Sequence, residues 1–195
     1  MTALTYPDVL PGTIGLTRIS GAAGKIIRFG QFLVLNPAAQ WLKRDNDPNI
    51  QHAFVYLGAT SKYPEGAILE AEPGGARIRS VNEHPWIYWC LHIAGEYTAE
   101  QLQNVAVHAP EYEGIPYSFF DYFAIAAHRW HFPLPGLRRY IKTSKHEECA
   151  ALCDLEYSDQ GLTLFTDKRW QGDVMPMNLY YLDWTIENWK LANGL

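Results

Sequence analysis

The sequence predicts an α+β fold in which an antiparallel sheet of about four to six strands packs against helices. The first half of the chain carries short runs in which polar and apolar residues alternate, separated by turn signals, and this pattern indicates strands. The second half carries apolar residues at helical spacing behind capping signals. With 195 residues, 48% of them hydrophobic, the chain is long enough to bury a core. No linker or repeat divides it, so residues 1–195 are expected to form a single domain.

The first-half strands are predicted from period-two alternation. In the strand Gln51–Leu57 the alternation places His52 on one face together with the aromatic side chains at 54 and 56. In the strand Ala67–Glu72 it places Glu70 and Glu72 on one face. The remaining strand predictions of this half, each a β-prone run, are Thr13–Arg18, Ala76–Val81 and Trp86–Ala94.

Two of these strands carry further expectations. The turn residues Pro73, Gly74 and Gly75 return the chain into Ala76–Val81, which predicts a hairpin. The run Trp86–Ala94 is long, aromatic and rich in β-prone residues, so it is predicted to be a central strand, with Cys90 in the core.

The helices are predicted from caps and periodicity. Thr98 and Gln101 form a capping-box pattern that opens a helix running to about Ala109. Two further helices are predicted, one after Ser20 and one over Phe119–Trp130. A short strand at Leu162–Phe165 and an aromatic C-terminal tail over 180–195 complete the prediction.

Composition narrows the functional class. The net charge is -5, the pI is about 5.8 and no Lys/Arg cluster is present, which argues against nucleic acid as a partner. No apolar run reaches the length of a transmembrane helix, and the segment Met1–Pro11 lacks the basic and apolar regions of a signal peptide. Three cysteines are too few, and odd in number, for a disulfide framework. A reducing compartment, the cytoplasm, is therefore expected.

The segment Ser144–Tyr157 has the composition of a helix, and the rest of the chain is arranged around it in this interpretation. Ser144 and Glu147 have capping-box spacing, which places Cys149 in the first or second turn. The helix dipole at that position favours an anion such as a thiolate. Cysteine is also often a buried packing residue, and position alone leaves both interpretations open.

A thiol nucleophile needs an imidazole to take its proton and a third polar group to orient that ring. His52, at the start of its strand, is the best-placed histidine, and Glu70 and Glu72 lie on the next strand of the chain. The alternatives are a histidine that bonds only to backbone and two glutamates on a solvated strand face.

Metal and cofactor motifs are weak in the sequence. His128 and His131 are three residues apart, but no third ligand stands at a recognisable spacing. Cys149 and Cys153 lack the second cysteine pair of a zinc site. No metal or cofactor is therefore predicted, and a metal-binding domain is the weakest hypothesis for the chain.

Several short segments occur in a distinctive order: Gly12 to Arg18, Ile26 to Gly30, His52, Ile68 to Gly75 and Cys149. Their order resembles the circularly permuted NlpC-type papain-fold proteins, and the YiiX-like branch in particular. In that group the histidine strand precedes the cysteine helix, and a glutamate on the following strand is usually the third catalytic residue. The resemblance implies Cys149 as nucleophile, His52 as base and Glu70 as the orienting residue.

The resemblance extends to the substrate side of the site. The segment Gly114 to Tyr117 resembles the family's Gly-x-x-Tyr segment, which implies that Tyr117 lines the site. Glu72, on the same strand face as Glu70, is the other expected substrate-binding residue. The chain departs from the family pattern after His52, where Ala53 and Phe54 stand in place of the common small residue and Gly. It departs again at Ala150, where Ser is common.

The expected function is a cysteine hydrolase that cleaves an amide or ester bond. The substrate classes implied by the resemblance are cell-wall peptides, isopeptides and lipid acyl groups. Two alternatives stay open, a lipid acyltransferase or thioesterase and a non-catalytic binding protein on the same fold.

Overall fold

The computed structural model describes residues 9–19, 50–72, 74–116, 149–167 and 174–194. Several sequence predictions lie outside these ranges: the helix after Ser20, the helix Phe119–Trp130, Tyr117, His128, His131, and the capping box of Ser144 and Glu147.

The described residues form an α+β fold built on a five-stranded antiparallel sheet. The strands stand in the order β4-β3-β2-β1-β5. In chain order they are β1 (Ile14–Thr17), β2 (His52–Gly58), β3 (Ala67–Glu72), β4 (Gly75–Ser80) and β5 (Ile87–Trp89). The first four lie where the alternation predicts strands, and β3 and β4 form the predicted hairpin.

Strand β2 is central and is covered on both faces. Ala53 and Val55 point into the larger core cluster, on the side where helices pack. Phe54 and Tyr56 point to the other face, where they pack with Ile68 of β3. The period of two predicted these two faces correctly, and it sends His52 to the face of Phe54.

The prediction of a long central strand over Trp86–Ala94 is wrong. The strand is only three residues long, and among the described residues it pairs with β1 alone and lies at the edge of the sheet. After Cys90 the chain forms a short helix, α1 (Leu91–Ala94), which places Ile93 in the core. Strand propensity is local, whereas this turn into a helix is stabilised by a contact from the far end of the chain. Cys90 is buried in the core, as predicted.

Helix α2 (Ala99–His108) confirms the predicted capping box, because the side chains of Thr98 and Gln101 each accept a hydrogen bond from the other's backbone N–H. Helix α3 (Cys149–Asp159) packs against β2 and β3. Tyr157 of α3 donates a hydrogen bond of 2.7 Å to the carbonyl of Gly12 just before β1. Gly12 has φ +91, and a Cβ there would lie 2.1 Å from the carbonyl oxygen of Leu102, so only glycine fits.

The aromatic tail is a helix, α4 (Pro176–Ala192), which packs against α1. Its Asp183 is fully buried and accepts hydrogen bonds from the backbone N–H of Ile93 at 2.7 Å and from the hydroxyl of Tyr88 at 2.8 Å. This is the distant contact that holds the turn after Cys90.

The predicted short strand at Leu162–Phe165 is also wrong, because these residues adopt bend and irregular backbone. Leu162 and Leu164 are nevertheless buried in the larger core cluster. The alternation of apolar residues here therefore comes from a loop that places every second side chain in the core. Among the described residues, no helix is both long enough and apolar enough to cross a bilayer.

Candidate functional site

The candidate site begins with a contact between β2 and β3. Nε2 of His52 lies 2.7 Å from Oε2 of Glu70, and both side chains are buried. In the strand register Glu70 stands opposite Phe54, two residues along β2 from His52. The contact is therefore a diagonal one, which long side chains on one sheet face can reach.

The charge state of Glu70 fixes the proton positions of its partner. Burial raises the pKa of the Glu70 carboxyl, but hydrogen bonds from His52 and His84 and the charges of these rings outweigh it and lower the pKa to about 2. An ionised carboxylate only accepts hydrogen bonds, so His52 must carry a proton on Nε2. The nitrogen of His52 that remains for another partner is Nδ1.

That other partner is Cys149. The side chains of His52 and Cys149 are hydrogen-bonded, which joins α3 to the sheet. Burial lowers the pKa of His52, whereas the charge of Cys149 and the hydrogen bonds to Cys149 and Glu70 raise it, and the net result is a pKa of about 10. The arrangement can transfer a proton between the sulfur of Cys149 and a ring nitrogen of His52 inside a buried site.

A second histidine reaches the same carboxylate. Nε2 of His84 also lies 2.7 Å from Oε2 of Glu70, so His84 likewise donates through Nε2. Its ring stacks on Phe54, with the centroids 5.2 Å apart and the planes within 6° of parallel. Its side chain is 13% exposed, whereas that of Glu70 is 1% exposed. His84 thus forms the solvent side of the cluster.

The other expected acid, Glu72, is paired with Arg79. Its Oε2 lies 3.1 Å from Arg79, and its side chain is 35% exposed. Arg79 also bonds to Glu83 at 2.6 Å and stands 3.6 Å from Oε1 of Glu70. Arg79 therefore connects Glu72 to the outer edge of the cluster.

The remaining two cysteines differ from Cys149 in their surroundings. All three thiols are free and buried. Burial raises the pKa of Cys90 and of Cys153 well above its usual range. The Cys153 thiol donates to the backbone carbonyl of Cys149, at 3.2 Å, as a core residue one helical turn further on. These two thiols are expected to be unreactive.

The cluster also has the composition of a metal site. One ligand atom each from His52, Glu70 and His84 lies within 4.8 Å of the other two. Imidazole nitrogens and a carboxylate oxygen are ligands that zinc and other first-row transition metals accept.

The structure therefore brings together Cys149, His52 and Glu70, and it places Glu72 at the rim on Arg79. Tyr117 lies outside the described residues. Sequence reasoning missed His84, because its contact with Glu70 depends on how the chain returns after β4. The only sequence signal available was a histidine directly after a hairpin that carries the predicted acid.

No protein-family model, no curated protein and no solved structure matches this chain.

Proposed function

We propose that this chain is a cysteine hydrolase that cleaves an amide or ester bond, with Cys149 as nucleophile, His52 as base and Glu70 as the residue that orients His52. One observation carries the proposal: the His52 ring bonds to the thiol of Cys149 and to the ionised carboxylate of Glu70. These residues come from three different elements, so a local structural role such as a helix cap or a turn does not account for their meeting.

The geometry supports a two-step reaction. Cys149 gives its proton to Nδ1 of His52 and its sulfur attacks the substrate carbonyl, while Glu70 holds the opposite ring nitrogen. His52 then returns the proton to the leaving amine or alcohol, and a thioester on Cys149 remains. Water next gives a proton to His52 and attacks the thioester, which releases the acid and restores the thiol. Backbone N–H groups at the start of the cysteine helix are the proposed donors to the oxyanion.

The proposed fold is the permuted papain-like, NlpC-type arrangement. Two features support it: the histidine strand precedes the cysteine helix along the chain, and the acid lies on the strand that follows and pairs with the histidine strand. The substrate classes proposed with it are a cell-wall peptide, an isopeptide or a lipid acyl group.

A non-catalytic binding protein is the second candidate, and the burial of Cys149 favours it. Cys149 is 1% exposed, so a substrate carbonyl reaches the sulfur only after neighbouring groups move. In this alternative the thiol–imidazole pair is a buried polar contact that stabilises the fold.

The test is covalent capture followed by turnover. The full chain is incubated with a panel of acyl esters and thioesters and with muropeptides, and the mass of each cysteine peptide is measured. The proposal expects an acyl adduct on Cys149 alone and release of product. The matched control is Cys153→Ser, which changes a buried thiol on the same helix and is expected to leave turnover intact, whereas Cys149→Ser abolishes it. No adduct and no turnover with any substrate supports the binding protein. Equal loss of turnover in both variants would contradict the role of Cys149 as the nucleophile, because the loss would then follow from disturbance of the helix.

A further inference from the structure

We infer that His52, Glu70 and His84 form a binding site for one divalent transition-metal ion of the zinc class, and that occupancy of this site blocks the thiol chemistry. The inhibitory consequence rests on the proposed function, whereas the metal site itself does not.

The metal site is inferred first from the three ligand residues and from how close together their ligand atoms lie. Two imidazole nitrogens each lie 2.7 Å from the same carboxylate oxygen, and the three ligand atoms fall within a 4.8 Å cluster. Two histidines and one carboxylate are a recurrent three-ligand set for zinc, with water or substrate at the fourth position. An ion at about 2.0–2.2 Å from each ligand atom requires these atoms to separate by roughly half an ångström. His84 follows a 3-10 turn rather than lying in a strand, so it can supply that movement.

The charge around the cluster favours a cation. Among the described residues, Arg79 is the Lys or Arg side chain beside Glu70, but it bonds more closely to two other carboxylates, Glu72 at 3.1 Å and Glu83 at 2.6 Å. In the part of the chain that the structure describes, three carboxylates therefore face one guanidinium, and with neutral imidazoles the cluster carries net negative charge. A divalent ion adds two positive charges while each ring keeps one proton on the nitrogen that does not bind the ion, so binding offsets this excess.

Of the three ligand residues, His84 is the most exposed to solvent. Glu70 and His52 are buried, with side chains 1% and 3% exposed, while the His84 side chain is 13% exposed. An ion therefore enters on the His84 side. Because Nε2 of His52 is bonded to Glu70, Nδ1 is the nitrogen left for the bond to Cys149, so the thiol is not counted among the ligands of this ion.

Metal binding changes the tautomer of His52. The apo site holds a proton on Nε2 of His52, and a metal ion takes that position. The neutral ring then carries its proton on Nδ1, where it donates to the sulfur of Cys149. A ring with metal on one nitrogen and hydrogen on the other has no lone pair left to accept a proton. His52 therefore cannot take the proton of Cys149, and formation of the thioester is blocked.

The test uses Co²⁺ as a spectroscopic probe and Zn²⁺ as inhibitor on the full chain, after dialysis against a chelator. Cys149→Ser removes the thiol. His84→Phe keeps the aromatic stack on Phe54 and removes the ligand. His108→Phe is the matched control, because His108 pairs with Glu111 at 2.9 Å on the surface.

The expected result is one equivalent of Co²⁺ with visible ligand-field bands and no thiolate charge-transfer band, in the wild type and in Cys149→Ser. His84→Phe removes a ligand and is expected to weaken Co²⁺ binding by more than ~10–100-fold, the loss typical when a residue that only supports a ligand is changed. His108→Phe is expected to bind Co²⁺ as tightly as the wild type. One equivalent of Zn²⁺ is expected to stop turnover, and a chelator to restore it.

Two results overturn the inference. A thiolate charge-transfer band that disappears in Cys149→Ser places the ion on the sulfur, and unchanged binding in folded His84→Phe removes that ligand. If His84→Phe does not fold, the spectra of the wild type and of Cys149→Ser still show whether the ion binds to the sulfur. Co²⁺ binding at the histidines without turnover of any substrate would support the metal site and contradict the proposed hydrolase. Turnover without Co²⁺ binding would support the hydrolase and contradict the metal site.

Discussion

His52 and His84 donate to a single oxygen atom, Oε2 of Glu70, each at 2.7 Å. Shared in this way, the carboxylate orients two rings that face different surroundings: one reaches a thiol in the core and the other stacks on Phe54 near solvent. A change at Glu70 therefore removes the partner of both rings, and one of them, His52, is the residue on which the proposed proton transfer depends.

Replacement of Glu70 by Gln is predicted to lower turnover by a factor of ~10–1000, the range expected when an orienting or acid–base partner is lost. The amide keeps the shape but is neutral, and it no longer offers a carboxylate to both imidazoles. The measurement is kcat/KM on the substrate found by covalent capture.

Glu72→Gln is the matched control, since it removes a charge from the same strand two residues away. Its carboxylate contacts Arg79 and is 35% exposed, so the expected loss is far smaller. The reverse ranking of the two variants would reassign the orienting role to Glu72.

Alkylation by iodoacetamide is predicted to modify Cys149 at least ~10-fold faster than Cys90 or Cys153, because the thiolate is the reactive form. The three thiols are equally buried, so access does not favour Cys149. Burial raises the pKa of the other two, whereas Cys149 has an imidazole partner. The rates are read from the masses of the three cysteine peptides.

His52→Ala tests the cause of this difference. Without the imidazole, the rate at Cys149 is predicted to fall toward that of Cys153, which lies on the same helix. If Cys149 reacts no faster than Cys153 in the wild type, the imidazole does not activate the thiol and the binding-protein alternative stands.

The sheet was largely predictable from the sequence because alternation is a local property. Strand β3 lies at the predicted residues Ala67–Glu72, and β2 differs from its prediction by one residue at each end. The prediction of a strand over Trp86–Ala94 was wrong because residue preferences do not show that the chain leaves the sheet at Cys90. That departure depends on Asp183, which is distant along the chain.

The site was predictable only in part. Cys149, His52 and Glu70 were identified from the order of short segments, and the structure brings them together. His84 has no spacing pattern that connects it to Glu70, since their contact arises from the path of the chain after the hairpin. Glu72 shares a strand face with Glu70, but sequence alone could not show that Arg79 draws it to the rim.

Replacement of Asp183 by Ala is predicted to lower the free energy of unfolding by about 2–4 kcal/mol, because a buried backbone N–H at Ile93 and a hydroxyl at Tyr88 lose a charged acceptor. Asp183→Asn keeps one acceptor oxygen and is expected to cost less. The measurement is chemical denaturation at neutral pH.

Glu187→Ala is the control on the same helix. Its exposed pair with His92 spans 3.8 Å, and such pairs contribute about 0–1 kcal/mol. A loss at Glu187 as large as that at Asp183 would show that α4 is sensitive to any change of charge, and that the two buried hydrogen bonds are not the cause.

Glu156 of α3 is a buried carboxyl, and among the described residues neither of its oxygens has a hydrogen-bond partner. Burial raises its pKa well above the usual range, so the neutral acid is the favoured form in the fold. Glu156→Met removes the polar group and keeps much of the volume. It is predicted to raise the free energy of unfolding at neutral pH by about 1–3 kcal/mol.

The pH dependence of Glu156 gives the sharper test. Because the folded pKa is raised, its contribution to stability is fully present below the unfolded pKa of about 4.3 and is lost as the pH rises through the folded pKa. The advantage of Glu156→Met over the wild type is therefore predicted to grow with pH above about 4.3, by at most ~1.4 kcal/mol per unit. Denaturation at a series of pH values measures it. Glu156→Gln, which cannot ionise, is expected to remove the same pH dependence while keeping a buried polar group. An advantage of Glu156→Met that stays constant with pH would show that Glu156 does not titrate between the folded and unfolded states.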